Sequence, residues 1–262
     1  MSTLTLPKIT EEHKRQFRDE GFFVLDSVIP ADQLAILRDE CDCGVDDIHK
    51  EMDERGEDTL FISHRGKRYF IPWRTRASER LRSFVFGEIL AEVCRETIGP
   101  NASLFLDQFV VKAAEKGMNF SWHQDSGYIP FDHLPYLSCW VSLDDVTEEN
   151  GTVYMLPYSQ LGIKSRVTHT ADPKTNDMVG YYGTNPGVPV VVPAGSIAVF
   201  SSVCFHRSGP NTTDKARRVY LCQFSVEPIV SPYDKMVYGE FTPFLKDGAI
   251  VPNAGVRDLP PG

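Results

Sequence analysis

Long apolar runs are missing from this chain, and so is an excess of basic residues. No stretch approaches the roughly 18 to 20 apolar residues that a membrane helix needs, so we expect no membrane association. The net charge of the 262 residues is −9, which argues against binding to nucleic acid through a basic surface. Neither a signal peptide nor a peroxisomal address is visible in the sequence, and we expect a cytoplasmic protein.

Cysteine pairs with the spacing of metal-binding or redox motifs are also lacking. The sequence has 6 cysteines but no Cys-x-x-Cys motif, and several of them lie in apolar runs. We interpret them as reduced, mostly buried thiols. Cys41 and Cys43 are a minor candidate for a metal site, for which two thiols without a metal are the simpler explanation.

The first hundred residues have helical patterns around one short strand. Thr10 precedes an amphipathic segment that Gly21 ends, which predicts a capped helix. A β-rich run, FFVLDSVI, follows, and Pro30 opens a second predicted helix over residues 31–42. A third helix is predicted over residues 88–99.

From about residue 103 the pattern changes to short strands. Runs rich in Val, Phe, Tyr and Trp alternate with turn clusters, as in SLFLDQFVVK, YLSCWVSLDDV and RRVYLCQFSV. Such spacing is typical of an antiparallel sandwich or barrel. We therefore predict a single domain over residues 1–262 that is mainly β with helices. Residues 1–100 would form a helical support, residues 101–230 the β core and residues 231–262 a C-terminal extension.

The helical region contains an abrupt change of charge. Residues 39–58 are rich in acids, whereas residues 64–82 are rich in bases. One interpretation is that the two segments form surfaces that partly neutralise each other. The other is that some of the basic side chains meet an anionic group of a substrate. The candidates for that role are Arg65, Lys67, Arg68, Arg74 and Arg76.

Three residues of the β region have the character of metal ligands. His123 and Asp125 lie two positions apart, so an extended backbone would direct both side chains to the same face. His206 ends an apolar strand just before a turn cluster. Two histidines and one carboxylate on one face are the ligand set of non-haem Fe(II) oxygenases, which leaves positions open for other ligands. The residual charge of such a site suits an anionic chelating co-substrate and dioxygen.

A co-substrate with two carboxylates also needs a cation for its distal end. Arg217 and Arg218 open a strand shortly after His206, and a guanidinium can bind a carboxylate through two parallel hydrogen bonds. Strand alternation allows only one of the two arginines to face inward, and the spacing does not decide which. Ser208 could add a hydroxyl donor.

Taken together, these motifs resemble the phytanoyl-CoA dioxygenase-like family of iron(II)/2-oxoglutarate-dependent oxygenases. EEHKRQFRDEGFFVLDSVIP is similar to the family's opening segment, and DQFVVKAAEKGMNFSWHQDSGYI is similar to its first ligand block. LSCWVSLDDVTEENGTVYMLPYSQ is similar to the central strands, and VPAGSIAVFSSVCFHRSGPNTTDKARRVYLCQFS is similar to the final ligand block. The resemblance implies a double-stranded β-helix, a cupin-like jelly roll. The chain departs from the family at LPYSQ, where the familiar turn has a histidine that is not a ligand.

The resemblance also implies roles for individual residues. His123, Asp125 and His206 would bind iron, and Arg217 would bind the distal carboxylate of 2-oxoglutarate. The further co-substrate contacts that it implies are Ser208, Trp140, Lys112 and Gln108. It implies Fe(II), 2-oxoglutarate and O2 as cofactors, with ascorbate as a supporting reductant. The carboxylate of Asp125 favours oxygen transfer over halogenation, because related halogenases have a small residue there.

The activity expected from the resemblance is the oxidation of an unactivated carbon of a small organic metabolite, with release of succinate and CO2. Hydroxylation is the simplest outcome, and secondary metabolism is the expected context. The basic segment leaves an anionic substrate open, including a long-chain acyl-CoA that would be hydroxylated at carbon 2. Two alternatives of other classes also stay open: a non-catalytic jelly roll that binds a metal or ligand, and a zinc hydrolase that uses the same three residues.

Several other residues have no role that the sequence decides. His133 and His169 are expected to make structural hydrogen bonds or lie at the surface. Five aromatic side chains could line a substrate pocket or simply pack the barrel. They are Trp122, Tyr128, Phe131, Tyr181 and Tyr182.

Overall fold

Two antiparallel sheets form the β core of the computed structural model, which describes residues 6–252 and 254–255. The strands, in chain order, are β1 Phe22–Leu25, β2 Thr59–Leu60, β3 Ser63–His64, β4 Arg68–Pro72, β5 Ala102–Lys112, β6 Phe120–His123, β7 Leu137–Ser142, β8 Val153–Leu156, β9 Thr170–Ala171, β10 Met178–Val179, β11 Val188–Pro189, β12 Ile197–Ser201, β13 Phe205–Ser208, β14 Arg217–Ser225, β15 Thr242–Lys246 and β16 Ala249–Ile250. The helices are α1 Glu11–Glu20, α2 Ala31–Arg55, α3 Glu79–Val85, α4 Glu88–Thr97 and α5 Tyr158–Leu161, with short 3₁₀ helices at Arg74–Arg76 and Asp125–Tyr128.

The chain passes back and forth between the two sheets. The larger sheet has the order β1-β12-β7-β14-β5-β4-β3-β2, and β15 also pairs with β5. The smaller sheet has the order β11-β8-β13-β6, and β9 and β10 form a separate pair. Along the chain, β5 and β7 of the larger sheet alternate with β6 and β8 of the smaller one, and β12 and β14 of the larger sheet alternate with β11 and β13 of the smaller one. This is the double-stranded β-helix, or jelly roll, so the predicted fold class is confirmed.

The two faces of the larger sheet bury different residues. On β14, Val219 and Leu221 pack in the core between the sheets with Val153 of the smaller sheet. Tyr220 and Cys222 of the same strand pack in the other core, which contains the apolar faces of α2, α3 and α4. Side chains alternate along a strand, so one face of the larger sheet packs against the helices and the other face lines the interior of the jelly roll.

The first helix and strand lie where the sequence predicted them. Thr10 accepts a hydrogen bond from the backbone N–H of His13 at 3.2 Å, and Gly21 ends α1 with a φ of 87°. The next residues form β1, which pairs with β12 and extends the larger sheet. The predicted helix over residues 88–99 is α4.

The second helix is much longer than predicted. We predicted a helix over residues 31–42, but α2 continues to Arg55. Gly44 lies within the helix and lowers its intrinsic propensity, which is why the sequence pattern ended early. The glycine is accommodated because the helix packs closely there: a Cβ at Gly44 would lie 3.3 Å from Cγ2 of Ile71.

The cysteines behave as ordinary thiols. All six are free; Cys43 is exposed and the other five are buried. Burial raises the pKa of Cys41 to about 12, so that thiol stays protonated and is a poor metal ligand. Within residues 6–252 and 254–255, no helix combines the length and apolar character required to span a bilayer.

Three of the seven basic side chains of the segment, Arg65, Arg74 and Arg80, pair with acids of α2, which agrees with the first interpretation of the charge pattern, a partial neutralisation. Arg65 lies 2.6 Å from a carboxylate oxygen of Asp53, and Arg74 lies 2.7 Å from one of Asp47. Arg68 is different, because it begins β4 and its side chain is buried in the interior. Of the five basic candidates, Arg68 is the one that lines a cavity in the interior of the jelly roll.

Candidate metal centre

The three predicted ligands lie together between the two sheets. His123 ends β6 and is directly paired with His206 on β13, so that their ring centroids are 4.1 Å apart. Asp125 begins the 3₁₀ helix that follows β6, and its Oδ1 lies 3.8 Å from Nε2 of His123 and 3.5 Å from Nε2 of His206. The potential ligand atoms of the three residues all lie within 4.8 Å of one another. One ion can therefore contact all three.

Hydrogen bonds to the backbone fix the orientation of both imidazoles. Nδ1 of His123 lies 2.8 Å from the carbonyl of Ser121, and Nδ1 of His206 lies 3.1 Å from the carbonyl of Cys204. A carbonyl can only accept, so Nδ1 carries the proton and Nε2 presents its lone pair to the space beside Asp125. Burial, and next the neighbouring His206, lowers the pKa of His123 well below its usual value, which keeps the ring neutral as metal binding requires.

The carboxylate of Asp125 is held by two side chains. Its Oδ2 accepts hydrogen bonds from Oγ of Ser138 at 2.6 Å and from Nε2 of Gln223 at 2.8 Å. Burial alone would raise the pKa of Asp125, but the imidazoles of His206 and His123 and the bond from Ser138 outweigh it and lower the pKa. The result is an ionised carboxylate whose Oδ1 is free to bind a cation.

Sequence reasoning missed Ser138 and Gln223. A signal for both was present, because side chains alternate along a strand. Gln223 shares a face of β14 with the predicted Arg217, and Ser138 shares a face of β7 with Trp140. Gln223 is an even number of positions from Arg217, and Ser138 is an even number of positions from Trp140, so strand alternation predicts that each pair faces the same side.

One cavity beside the three ligands contains Arg217, and we call it the arginine cavity. Trp140, Lys112 and Ser208 line it with Arg217, so four of the five residues predicted to contact a co-substrate lie together. Nζ of Lys112 donates to the backbone carbonyls of Met118 and Gly209, the latter at 2.6 Å. Lys112 therefore ties the wall of the cavity together.

Arg217 is buried with part of its hydrogen-bonding capacity unused. It is 1% exposed; its Nη2 donates to the carbonyl of Gly151 at 3.0 Å, whereas Nε and Nη1 have no partner among the described residues. Burial lowers its pKa to about 10, which still leaves the guanidinium positively charged at neutral pH. A buried cation with two free donors is unfavourable unless an anion pairs with it, so the arginine cavity fits one carboxylate of a bound co-substrate.

A second cavity, of about 250 Å³, lies on another side of His123 and Asp125, and we call it the aromatic cavity. Gln108 lines this cavity and does not line the arginine cavity, although the resemblance implied a contact with the co-substrate. Gln108 and Lys112 share a face of β5, so that strand runs past the ligands from one cavity to the other. The remaining lining residues are Trp73, Phe105, Leu106, Tyr128, Ile129, Tyr136, Gln223, Tyr238 and Gly239.

Of the five aromatic side chains that the sequence left open, Tyr128 lines the aromatic cavity. Trp122 packs against Tyr181 with ring centroids 5.9 Å apart, and Phe131 belongs to a small apolar cluster. Tyr182 is 75% exposed. Most of these rings therefore pack the fold or face solvent.

The two unassigned histidines make structural hydrogen bonds, as expected. Nδ1 of His133 donates to the carbonyl of Phe131 at 2.9 Å. Nε2 of His169 accepts from the backbone N–H of Gln124 at 2.9 Å, which ties the loop of His169 to the residue between the first two ligands.

Comparison with known proteins agrees with this geometry. The sequence profile of the phytanoyl-CoA dioxygenase (PhyH) family matches residues 17–219. The chain belongs to this family. As a PhyH protein it is an Fe(II)/2-oxoglutarate-dependent oxygenase, a class that uses Fe(II), 2-oxoglutarate and O2. Its His123, Asp125 and His206 offer two imidazoles and a carboxylate, the donor set that such an iron ion takes.

Individual relatives of this PhyH protein are distant but similar over most of their length. The phytanoyl-CoA dioxygenase domain-containing protein 1 of Danio rerio is 24% identical and covers 90% of this chain and 97% of its own. EvdO2 of Micromonospora carbonacea var. aurantiaca, complexed with 2-oxoglutarate, has a TM-score of 0.65 at 22% identity, covering 89% of this chain and 97% of its own. The epimerase SnoN, in complex with Fe3+, α-ketoglutarate and nogalamycin RO, has a TM-score of 0.63 at 20% identity, covering 92% of this chain and 95% of its own.

Proposed function

We propose that this PhyH protein oxidises an unactivated carbon of a small organic metabolite, most simply by hydroxylation, and converts 2-oxoglutarate to succinate and CO2. The observation that carries the proposal is the position of the three ligands: all three line the arginine cavity, and His123 and Asp125 also line the aromatic cavity. An enzyme of this kind must hold two organic molecules beside one metal ion, and two separate cavities at the same ligands meet that need. The structure of SnoN, which has a similar fold, contains the small molecule nogalamycin RO together with Fe3+ and α-ketoglutarate.

The protein's own residues divide into three tasks. His123, Asp125 and His206 bind the iron, which together with 2-oxoglutarate and O2 supplies the oxidising chemistry. Arg217 binds the distal carboxylate of 2-oxoglutarate through its free Nε and Nη1. Trp140 packs on this guanidinium, with the ring centroid 5.5 Å away, and restricts its rotamer and its contact with water.

The remaining co-substrate contacts are smaller. Ser208 lines the arginine cavity near the end of β13 and offers a hydroxyl donor to the same carboxylate. Lys112 already donates to two carbonyls, so its task is to fix the backbone of the cavity. We assign Gln108 to the substrate instead, because it lines the aromatic cavity.

Arg217 favours this function over a zinc hydrolase or a non-catalytic binder. A zinc hydrolase needs three ligands and one water, and neither that site nor a simple metal site requires a buried guanidinium beside it. Leaving two donors of a buried guanidinium unpaired costs several kcal/mol in order of magnitude. The pairing of Arg217 with a dicarboxylic co-substrate removes that cost.

Succinate release is the direct test. The protein, purified without oxygen, is loaded with Fe(II) and 2-oxoglutarate and exposed to 18O2 with pools of small metabolites, some of which contain acyl-CoA thioesters. We expect one pool to stimulate succinate formation and to yield a product that carries one 18O atom. The Arg217→Met variant should lose the stimulation, and the His64→Ala variant, which changes a histidine that lines neither cavity, should keep it.

Two outcomes would contradict the proposal. If only acyl-CoA thioesters stimulate succinate formation, the substrate is an acyl-CoA and not a small metabolite. If isothermal titration shows no binding of 2-oxoglutarate to Mn(II)-loaded protein, the protein is better explained as a non-catalytic jelly roll that binds a metal or ligand.

A further inference from the structure

Among the residues that the structure describes, no cationic side chain that could bind an anionic substrate lines the aromatic cavity. Apart from the ligands His123 and Asp125, its lining consists of uncharged side chains and one glycine. Arg76 of the basic segment stacks on Trp73 with its guanidinium carbon 4.4 Å from the ring centroid, but it does not line the cavity. The Nε of Arg76 lies 2.5 Å from a carboxylate oxygen of Glu240, so its charge is already paired.

The charges of the ion, its carboxylate ligand and the co-substrate give no attraction for an anion in the aromatic cavity either. An Fe(II) ion, the carboxylate of Asp125 and a doubly ionised 2-oxoglutarate sum to a net negative charge, which the guanidinium of Arg217 neutralises. An anionic group in the aromatic cavity would therefore be buried without a counter-charge. Such burial is strongly unfavourable. An uncharged substrate avoids this cost.

Most polar groups of the aromatic cavity are already hydrogen-bonded. Nε2 of Gln223 donates to Asp125. The hydroxyl of Tyr238 donates to the carbonyl of Tyr128 at 3.2 Å, and the hydroxyl of Tyr128 accepts from the backbone N–H of Met178 at 3.2 Å. These groups build the walls of the cavity.

Three polar side chains of the lining remain available to a ligand, of which the indole N–H of Trp73 can only donate. Among the described residues, neither the amide of Gln108 nor the hydroxyl of Tyr136 has a hydrogen-bond partner. Gln108 lies on β5 and is paired with Leu221 of β14, in the rigid centre of the larger sheet. An amide can both donate and accept, so Gln108 can orient a neutral polar group but cannot neutralise an anion.

We propose that the aromatic cavity selects an uncharged substrate with a planar ring or comparable apolar body, which Gln108 orients through a hydrogen bond to one neutral polar group. Phe105, Trp73 and Tyr136 supply the apolar walls. This inference rests on the proposed function, because it describes the substrate of the same site. It also excludes the anionic substrate that the basic segment 64–82 had suggested.

The test uses two probes that differ in charge but hardly in shape, 2-naphthamide and 2-naphthoate. Each is titrated into protein that has been loaded with Mn(II) and 2-oxoglutarate, and binding is measured by isothermal titration. We expect 2-naphthamide to bind with a Kd below about 1 mM and at least about tenfold more tightly than 2-naphthoate. The first injections of 2-oxoglutarate, before either probe, report on the proposed function separately.

Two variants make the test specific for Gln108. Gln108→Leu should raise the Kd of 2-naphthamide by about fivefold to tenfold because the hydrogen bond is lost. Gln108→Arg should reverse the preference and bind 2-naphthoate more tightly. Gln160→Leu is the matched control, since Gln160 lines neither cavity, and it should behave like the wild type. Thermal unfolding of each variant shows whether it is folded.

The outcomes are distinguishable. Protein that binds 2-oxoglutarate but prefers 2-naphthoate, or binds neither probe, overturns the inference and leaves the proposed function intact. Equal losses in Gln108→Leu and Gln160→Leu also overturn it. Protein that fails to bind 2-oxoglutarate overturns the proposed function, and the inference falls with it.

Discussion

Arg217 and Arg218 are neighbours on β14 that face opposite sides of the larger sheet. Arg217 enters the arginine cavity, where two of its nitrogens have no partner among the described residues. Arg218 instead binds the carboxylate of Asp144, with Nη2 2.8 Å from Oδ1, and also pairs with Asp42 of α2. One guanidinium is therefore fully paired by the fold, whereas two nitrogens of its neighbour have no partner among the described residues.

This difference predicts opposite effects when each arginine is replaced by methionine. Arg217→Met removes a buried cation with unpaired donors, so the unfolding temperature of the unliganded protein should stay the same or rise. The same variant should lose the stabilisation by 2-oxoglutarate, which at a concentration 100 times Kd amounts to about 2.7 kcal/mol, or about 5 to 10 °C for a chain of this size. Thermal unfolding with Mn(II), with and without 2-oxoglutarate, measures both quantities.

Arg218→Met is the matched control for that experiment. It should unfold at a lower temperature because Asp144 and Asp42 lose their partner, yet it should keep the full stabilisation by 2-oxoglutarate. If Arg217→Met retained that stabilisation, the guanidinium would not be the carboxylate partner.

The ligand set itself predicts a loss of metal when one member is removed. Asp125→Ala deletes the only carboxylate among the three and leaves two imidazoles, so iron content after anaerobic purification should fall severalfold and iron-dependent succinate formation should be abolished. His64→Ala should retain the iron of the wild type, because His64 lies on β3, outside both cavities. Turnover by Asp125→Ala at the wild-type rate would remove the proposed metal centre.

The hydrogen bonds to Asp125 predict a second effect on metal affinity. Gln223→Leu and Ser138→Ala each remove one donor to Oδ2, so the carboxylate is less well oriented. Loss of such supporting contacts typically weakens metal binding by about 10-fold to 100-fold. Competition titration with Co(II) and a chelator measures the affinity, and Gln160→Leu serves as control. Unchanged affinity in both variants would mean that Ser138 and Gln223 only pack against the ligand.

The local patterns of the sequence predicted the elements whose signal is short-range. The cap at Thr10, the stop at Gly21 and the alternating strands each depend on a few adjacent residues, and all were found. The motif resemblance, together with the His-x-Asp spacing, brought His123, Asp125 and His206 together correctly. The length of α2 was missed because Gly44 interrupts the local helical pattern, whereas the close packing on Ile71 that accommodates a glycine there is a long-range feature.

The division of the site into two cavities could not be read from the sequence. Gln108 and Lys112 lie on the same face of β5 but line different cavities. Only the position of the opposite sheet, which carries the proposed iron ligands, determines this. The choice between Arg217 and Arg218 depends in the same way on a tertiary contact, the carboxylate of Asp144. The alternation of residues in the sequence predicts which side chains share a face of a strand, but it does not predict which residues of other elements contact them.

Arg68 and Asp177 form the buried ion pair that predicts the largest effect on stability. Nη1 of Arg68 lies 3.3 Å from Oδ2 of Asp177, Nη2 also bonds this carboxylate, and both side chains are 2% exposed. The guanidinium donates in addition to the carbonyls of Ile62 and Asn119, and it stacks 4.8 Å from the ring of Phe120. The pair therefore connects β4 to the loop around Asp177 and to the start of β6.

Asp177→Ala should lower the free energy of unfolding by about 3 to 5 kcal/mol, because it leaves a buried guanidinium without its counter-charge. Asp53→Ala, which breaks the exposed pair with Arg65, should change it by less than about 1 kcal/mol. Urea unfolding of the unliganded protein measures both. Because Ser121, two residues before His123, donates its N–H to Asp177 at 3.3 Å, the first variant should also weaken Co(II) binding. Equal stability of the two variants would show that solvent reaches Arg68 and that the pair does not hold β6 in place.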